Sequence, residues 1–181
     1  MTAWIADLTA WPLALPTAVG AAWALVVAGL GGWLTDVSSW YQNLRFPSWR
    51  PPDWLFGPAW TVIFICIVAA GVLAWRDAPT GAERALLIGL FLVNTVFNVA
   101  WSLLFFRLRR PDWALVDVVA LWASIVALII GVGRTSTDAA LLLAPYAAWV
   151  SFAAFLNWTM VRLNPRTAPA SPGAARPARS V

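Results

Sequence analysis

The sequence predicts an all-α integral membrane protein, a bundle of five helices that each cross a lipid bilayer. Hydrophobic residues make up 61% of the 181 positions and charged residues 11%, whereas a soluble domain carries about 25% charged residues. The charges also divide the chain into five long uncharged stretches, at 8–35, 54–75, 85–106, 118–133 and 139–161. A spanning helix needs about 20 apolar residues, and the fourth stretch reaches that length only when extended to 113 with Asp117 inside it. Buried helices of a soluble protein are shorter and separated by more charge. A β-barrel would show short alternating segments, but 86–93 and 139–144 are apolar on every side.

The first stretch lacks the basic start of a cleaved signal peptide and is too long for a signal core, so it reads as the first helix. The five helices fall at about 12–34, 54–75, 85–106, 113–133 and 139–162, within a transmembrane domain covering 1–164. Residues 165–181, rich in Pro, Ala and Arg, cannot bury a core and read as a disordered tail. All twelve basic residues are arginines. Nine of them (Arg45, Arg50, Arg107, Arg109, Arg110, Arg162, Arg166, Arg176 and Arg179) fall on the side reached after the first helix, and only Arg76, Arg84 and Arg134 on the other. In an inner membrane this bias places the N-terminus outside and the C-terminus in the cytoplasm. The arginines therefore sit at helix ends and in the tail, where they carry no nucleic-acid signal.

Cys66 is the single cysteine, so no intramolecular disulfide forms, and its apolar surroundings read as core packing. No histidine is present, which excludes histidine-ligated haem or zinc, and no metal site is expected. In the first helix Gly20, Ala24, Ala28 and Gly32 recur every four residues, a row that suits either packing within the monomer or a dimer contact.

Fourteen tryptophans exceed what an interfacial belt uses. Trp4, Trp11, Trp33, Trp75 and Trp113 lie near helix ends and fit that belt, but Trp60, Trp101, Trp122, Trp149 and Trp158 lie deeper, where each indole N–H needs a partner. The loop at 35–53 carries Trp40, Tyr41, Phe46 and Trp49 together with Pro47, Pro51 and Pro52, and reads equally as an interfacial collar or as a lid. Asn94, Asn98, Trp101 and Phe105 share one face of the third helix; Tyr146, Trp149, Ala153 and Asn157 share one of the fifth; Phe56, Trp60 and Phe64 share one of the second. At about 1.5 Å of rise per residue, Trp60, Asn98, Trp101 and Ala153 lie roughly 7–12 Å below the loop end and Trp149 near 18 Å. These faces should enclose an aromatic pocket beneath the loop, walled by the second, third and fifth helices, suited to a flat apolar ligand. Asp117 is either a functional carboxylate within the bilayer or a helix-end partner of Arg107, Arg109 or Arg110.

Three ordered motifs, WYQNLRFPSWRPPDWLFGPAW at 40–60, NTVFNVAWSLLFF at 94–106 and PYAAWVSFAAFLNWTMVRLN at 145–164, resemble the family of bacterial tryptophan-rich sensory proteins and the translocator protein, also known as the peripheral benzodiazepine receptor. The resemblance implies a five-helix bundle, a homodimer, and binding of protoporphyrin IX, haem, sterols or benzodiazepine-type drugs, with no covalent cofactor. It places ligand contacts at Trp40, Tyr41, Trp60, Phe64, Asn98, Trp101, Trp149 and Ala153, and Arg45 or Arg50 could meet porphyrin propionates. Some members degrade protoporphyrin IX in light, which would give Trp60 and Trp149 a catalytic role. The sterol pattern of animal members appears as Leu156, Trp158 and Arg162 with Trp in place of Tyr, so sterol binding is not expected. Transport, which the family name suggests, finds no inverted repeat or broken central helix here.

Overall fold

A computed structural model of the protein describes residues 11–165. The first ten residues and the tail from 166, with Trp4, Arg166, Arg176 and Arg179, lie outside the described residues. Five long helices form the molecule: α1 (Trp11–Leu34), α2 (Phe56–Asp77), α3 (Gly81–Ser102), α4 (Pro111–Gly133) and α5 (Ala144–Leu163). The spans built on them are long and apolar enough to cross a membrane, as an integral multi-pass protein requires. No strand occurs among the described residues.

Local chemistry sets the helix ends. A single 3-10 turn at Asp53–Leu55, entered from Pro52, leads into α2. The third helix starts four residues before the charge-free stretch because Thr80 and Glu83 form a capping box. The Glu83 N–H donates to Thr80 Oγ1 at 3.2 Å and the Thr80 N–H to Glu83 Oε2 at 3.1 Å, so charged residues lie inside the first turn and serve the helix there. At its other end α3 runs into a π-helical turn, Leu103–Arg107. Arg109 then takes φ 53°, and the Arg110 N–H closes the turn on Leu104 O at 2.9 Å. Pro111 opens α4, where its missing N–H leaves no bond unmade. The fifth span, expected as one helix, is broken: Thr137–Leu141 forms a short helix, and α5 begins only at Ala144 with Pro145 in its first turn.

Helix α4, the shortest stretch by charge counting, is the most enclosed span. In its most apolar window 39% of residues are buried, against 6% for α1. It packs between α3 and α5, and Val118, Leu121, Ile125, Leu128 and Val132 fill the centre of the bundle. Gly131 lets α3 approach closely, since a Cβ there would overlap Leu90 Cδ1. Polar side chains join the same three helices: the Tyr146 hydroxyl donates to Asn94 Oδ1 at 3.1 Å and accepts from Asn98 Nδ2 at 3.0 Å, while Asn94 Nδ2 donates to Ser124 Oγ at 2.9 Å. Asn157 accepts the Trp101 indole N–H at 3.1 Å and donates to Pro111 O at 2.9 Å. On the other flank α1 is tied to α3 by Trp23 Nε1 donating to Thr95 Oγ1 at 2.9 Å.

Replacing Tyr146 by Phe removes the hydroxyl that joins Asn94 and Asn98, and buried interhelical hydrogen bonds in bilayers are worth about 0.6–2 kcal/mol each. Thermal unfolding of Tyr146→Phe in detergent should show a lowered midpoint, and an unchanged midpoint would assign the Tyr146 hydroxyl no share in holding the bundle.

Candidate ligand cavity

Beneath the 35–53 loop the bundle encloses a cavity of about 500 Å³, within the range of about 300–1,000 Å³ typical of small-molecule sites. Trp60 and Phe64 reach it from α2, Asn98 and Trp101 from α3, Trp149 and Ala153 from α5, and Tyr41 from the loop. Two further walls come from helices that side-chain pattern alone left out. Helix α1 contributes Val27, Ala28, Gly31 and Gly32, and α4 contributes Val118 and Leu121. The alanine and glycines of α1 were readable as small residues, but their role as a wall required knowing what they face.

The aromatic side chains form a connected lining. The Trp101 ring stacks on Phe105 at 5.0 Å between centroids and 20° between planes. Trp60 lies against Phe64 at 5.5 Å and edge-on to Tyr146 at 6.1 Å, while Trp149 meets Phe56 at 5.5 Å. Trp101 spends its N–H on Asn157. Trp60 and Trp149 differ: neither indole N–H has a hydrogen-bond partner among the described residues, and both rings line the cavity.

Other sequence candidates stand elsewhere. Trp40 packs edge-on to Phe105 at 6.2 Å with the Arg109 guanidinium over its ring at 5.9 Å, and it does not line the cavity. The loop folds it onto the π-helical turn that follows α3, a placement that sequence spacing does not reveal. Arg45 is held through its backbone: its N–H donates to Asn164 Oδ1 at 2.8 Å and its carbonyl accepts from Asn164 Nδ2 at 3.0 Å. Arg50 pairs with Asp53, which does line the cavity, and its guanidinium lies 3.8 Å from the Phe46 ring centroid. Of the deep tryptophans, Trp122 donates to Ser151 Oγ at 2.9 Å on the bundle's outer face, and Trp158 stacks on Phe155 under Arg162.

None of the three arginines considered as partners for Asp117 reaches it. Arg107 donates to the Trp33 carbonyl, Arg109 lies 3.8 Å from Asp36, and Arg110 pairs with Asp112 at 2.7 Å. Asp117 Oδ2 is buried without a hydrogen-bond partner among the described residues.

The loop acts as a cover on the α5 side. Trp49 stacks on Phe155 at 5.1 Å and 20° and meets Phe152 edge-on at 6.0 Å, which seats the loop on α5 beside the Asn164 clasp. Tyr41 sits between Phe46 and Phe106 at 5.1 and 5.7 Å. Burial there pushes its phenol pKa above the usual 10.0, partly countered by the Arg50 charge.

A bundle of five membrane-spanning helices around an aromatic cavity, covered at one end by a proline-bearing loop, defines a multi-pass membrane protein with an internal cavity of ligand size. The match to the TspO/MBR family over residues 18–163 covers nearly all the described helices, and the chain belongs to that family. It is 39% identical to the tryptophan-rich protein TspO of Chlorobaculum tepidum over 153 residues, 84% of this chain and 97% of the other. It is 35% identical to the human translocator protein over 126 residues, 69% and 75% of the two chains. With the tryptophan-rich sensory protein of Cereibacter sphaeroides it shares 31% identity over 133 residues, 74% and 82% of the chains.

Because the neutral phenol is favoured in the folded lid, Tyr41 supports the closed loop below pH 10 and loses that contribution as the pH rises through its elevated pKa. The phenolate absorbance that disappears in Tyr41→Phe should titrate above the value of free tyrosine; titration at or below that value would mean that Tyr41 stands in solvent.

Proposed function

We propose that the protein is a membrane receptor or sensor that binds a porphyrin, protoporphyrin IX or haem, in the cavity beneath the loop. The observation that carries this reading is the pairing of Trp60 and Trp149: two indoles on the cavity wall whose N–H groups are unspent, in a lining otherwise dominated by apolar side chains. A tetrapyrrole offers large ring faces for stacking and acceptor atoms for such donors. The names of the relatives, sensory protein and translocator protein, are compatible with a ligand-responsive membrane protein. Of the two arginines considered for propionates, Arg50 suits the role, since its partner Asp53 is on the cavity rim and a propionate can take that carboxylate's place. The reading includes the orientation given by the arginine bias, with the loop and the C-terminus on the cytoplasmic side, and the homodimer of the family resemblance.

Purified protein in detergent, titrated with protoporphyrin IX and followed by the porphyrin's own absorbance, should saturate at one site. The Trp60→Ala, Trp149→Ala double variant should bind on the order of tenfold more weakly, because aromatic contacts contribute about 0.5–1.5 kcal/mol each beyond burial. Equal affinity in both would remove the cavity from the reading.

A second reading, light-dependent degradation of the bound porphyrin, is favoured by the same two indoles, which would stand beside a photoexcited ring in the presence of oxygen. Illumination should bleach porphyrin bound to the wild type faster than porphyrin in empty detergent. Matching bleaching rates would leave binding alone.

A further inference from the structure

The wall of the cavity is unequal around its circumference. On the α5 side the cover is fastened twice, by the two hydrogen bonds between Asn164 and the Arg45 backbone and by Trp49 stacked on Phe155, while the Arg50–Asp53 pair braces the loop just before α2. Between α1 and α2 the wall changes along its length. The two helices run antiparallel, and in the half away from the loop they touch. A Cβ on Gly20 would come to 3.1 Å from Val68 Cγ1, and Trp23 meets Phe64 edge-on at 6.2 Å.

Continuing the same register toward the loop brings Gly31 and Gly32 of α1 opposite Gly57 of α2. A Cβ built on any of these three glycines would meet nothing within 4 Å. All three line the cavity, as do Ala28 and Thr61, and Ala28, Gly32, Gly57 and Thr61 are all exposed rather than covered by a neighbouring helix. Thr61 turns its hydroxyl back to Gly57 O at 3.0 Å, so the gap presents no unspent hydroxyl to the hydrocarbon. Cavity-lining residues that no neighbouring side chain covers mark an opening, and an opening edged by glycine, alanine and a satisfied threonine is passable to an apolar solute.

We propose that the ligand enters and leaves the cavity sideways from the bilayer, through the gap between α1 and α2, while the loop stays fastened to α5. The inference rests on the binding reading above and narrows its ligand class to molecules that first partition into the leaflet on the loop side. A ring system that dissolves in lipid and carries its anionic groups at headgroup level has the required chemistry. The carboxylate of Asp53 and the guanidinium of Arg50 lie at the same end of the cavity as those groups.

Protoporphyrin IX pre-partitioned into liposomes, mixed by stopped flow with protein in liposomes, gives association and dissociation rates. Gly32→Leu and Gly57→Leu place a branched side chain in the gap from opposite walls, at positions where an added Cβ meets nothing within 4 Å. Each should slow association and dissociation together, on the order of tenfold, as narrowing a gate does. Asn164→Ala, which releases the loop from α5, should leave the association rate at the wild-type value. Unchanged rates in both leucine variants, or faster association in Asn164→Ala, would overturn the lateral route and make the loop the entrance. Failure of the wild type to bind in the same experiment would overturn the binding reading and this one with it.

Discussion

Asn94, Asn98 and Asn157 hold this bundle together, because an amide in hydrocarbon has no water to fall back on. An unsatisfied polar group at that depth costs several kcal/mol, so each asparagine forces a particular neighbour into place. Asn94 binds Ser124 on α4 and Tyr146 on α5, and Asn157 joins the α3 indole of Trp101 to the first residue of α4. These bonds fix the mutual rotation of three helices whose remaining contacts are apolar and far less selective. Both asparagine groups join the same three helices, and α4 lies between the other two.

The cavity follows from that arrangement. With α3, α4 and α5 locked, α1 and α2 close the remaining side, and their facing residues change along the contact: Gly20 on Val68 and Trp23 on Phe64 give close packing, whereas Gly31, Gly32 and Gly57 leave space. Aromatic rings around the void support one another, Trp101 on Phe105 and Trp60 on Phe64, so the wall is rigid without being filled. Cation–π contacts continue this pattern to the membrane surface. Arg107 lies over Trp33 at 5.0 Å, Arg110 over Trp113 at 5.5 Å and Arg162 over Trp158 at 4.8 Å. A guanidinium can thus remain at the headgroup level while its stem covers apolar surface.

Much of the lining was readable from one-dimensional pattern. Trp60, Phe64, Asn98, Trp101, Trp149 and Ala153 fall on helix faces that periodicity identifies and at depths that helical rise estimates, and all six line the cavity. The pattern missed where a residue's role depends on a partner far away in the chain. Trp40 shares the loop's aromatic character with Tyr41, but the loop's path turns it against Phe105. Asn164 lies just past the end of α5, and its amide matches the Arg45 backbone 119 positions earlier. The capping box at Thr80 and Glu83 was present as a local signal, and charge counting passed over it because a charged first turn ends an apolar run.

The sequence by itself determined that the chain spans a bilayer with five helices, because apolar length and the placement of charge are properties of the chain alone. It also determined which helix faces carry aromatic and amide groups, since the helical repeat is local. Only the tertiary structure decided that α4 is the core, that α1 completes the cavity wall, and that Asp117 is without an arginine partner. Those outcomes depend on which helices become neighbours and how each is rotated. In an apolar medium, a few hydrogen bonds between residues distant in sequence set that rotation.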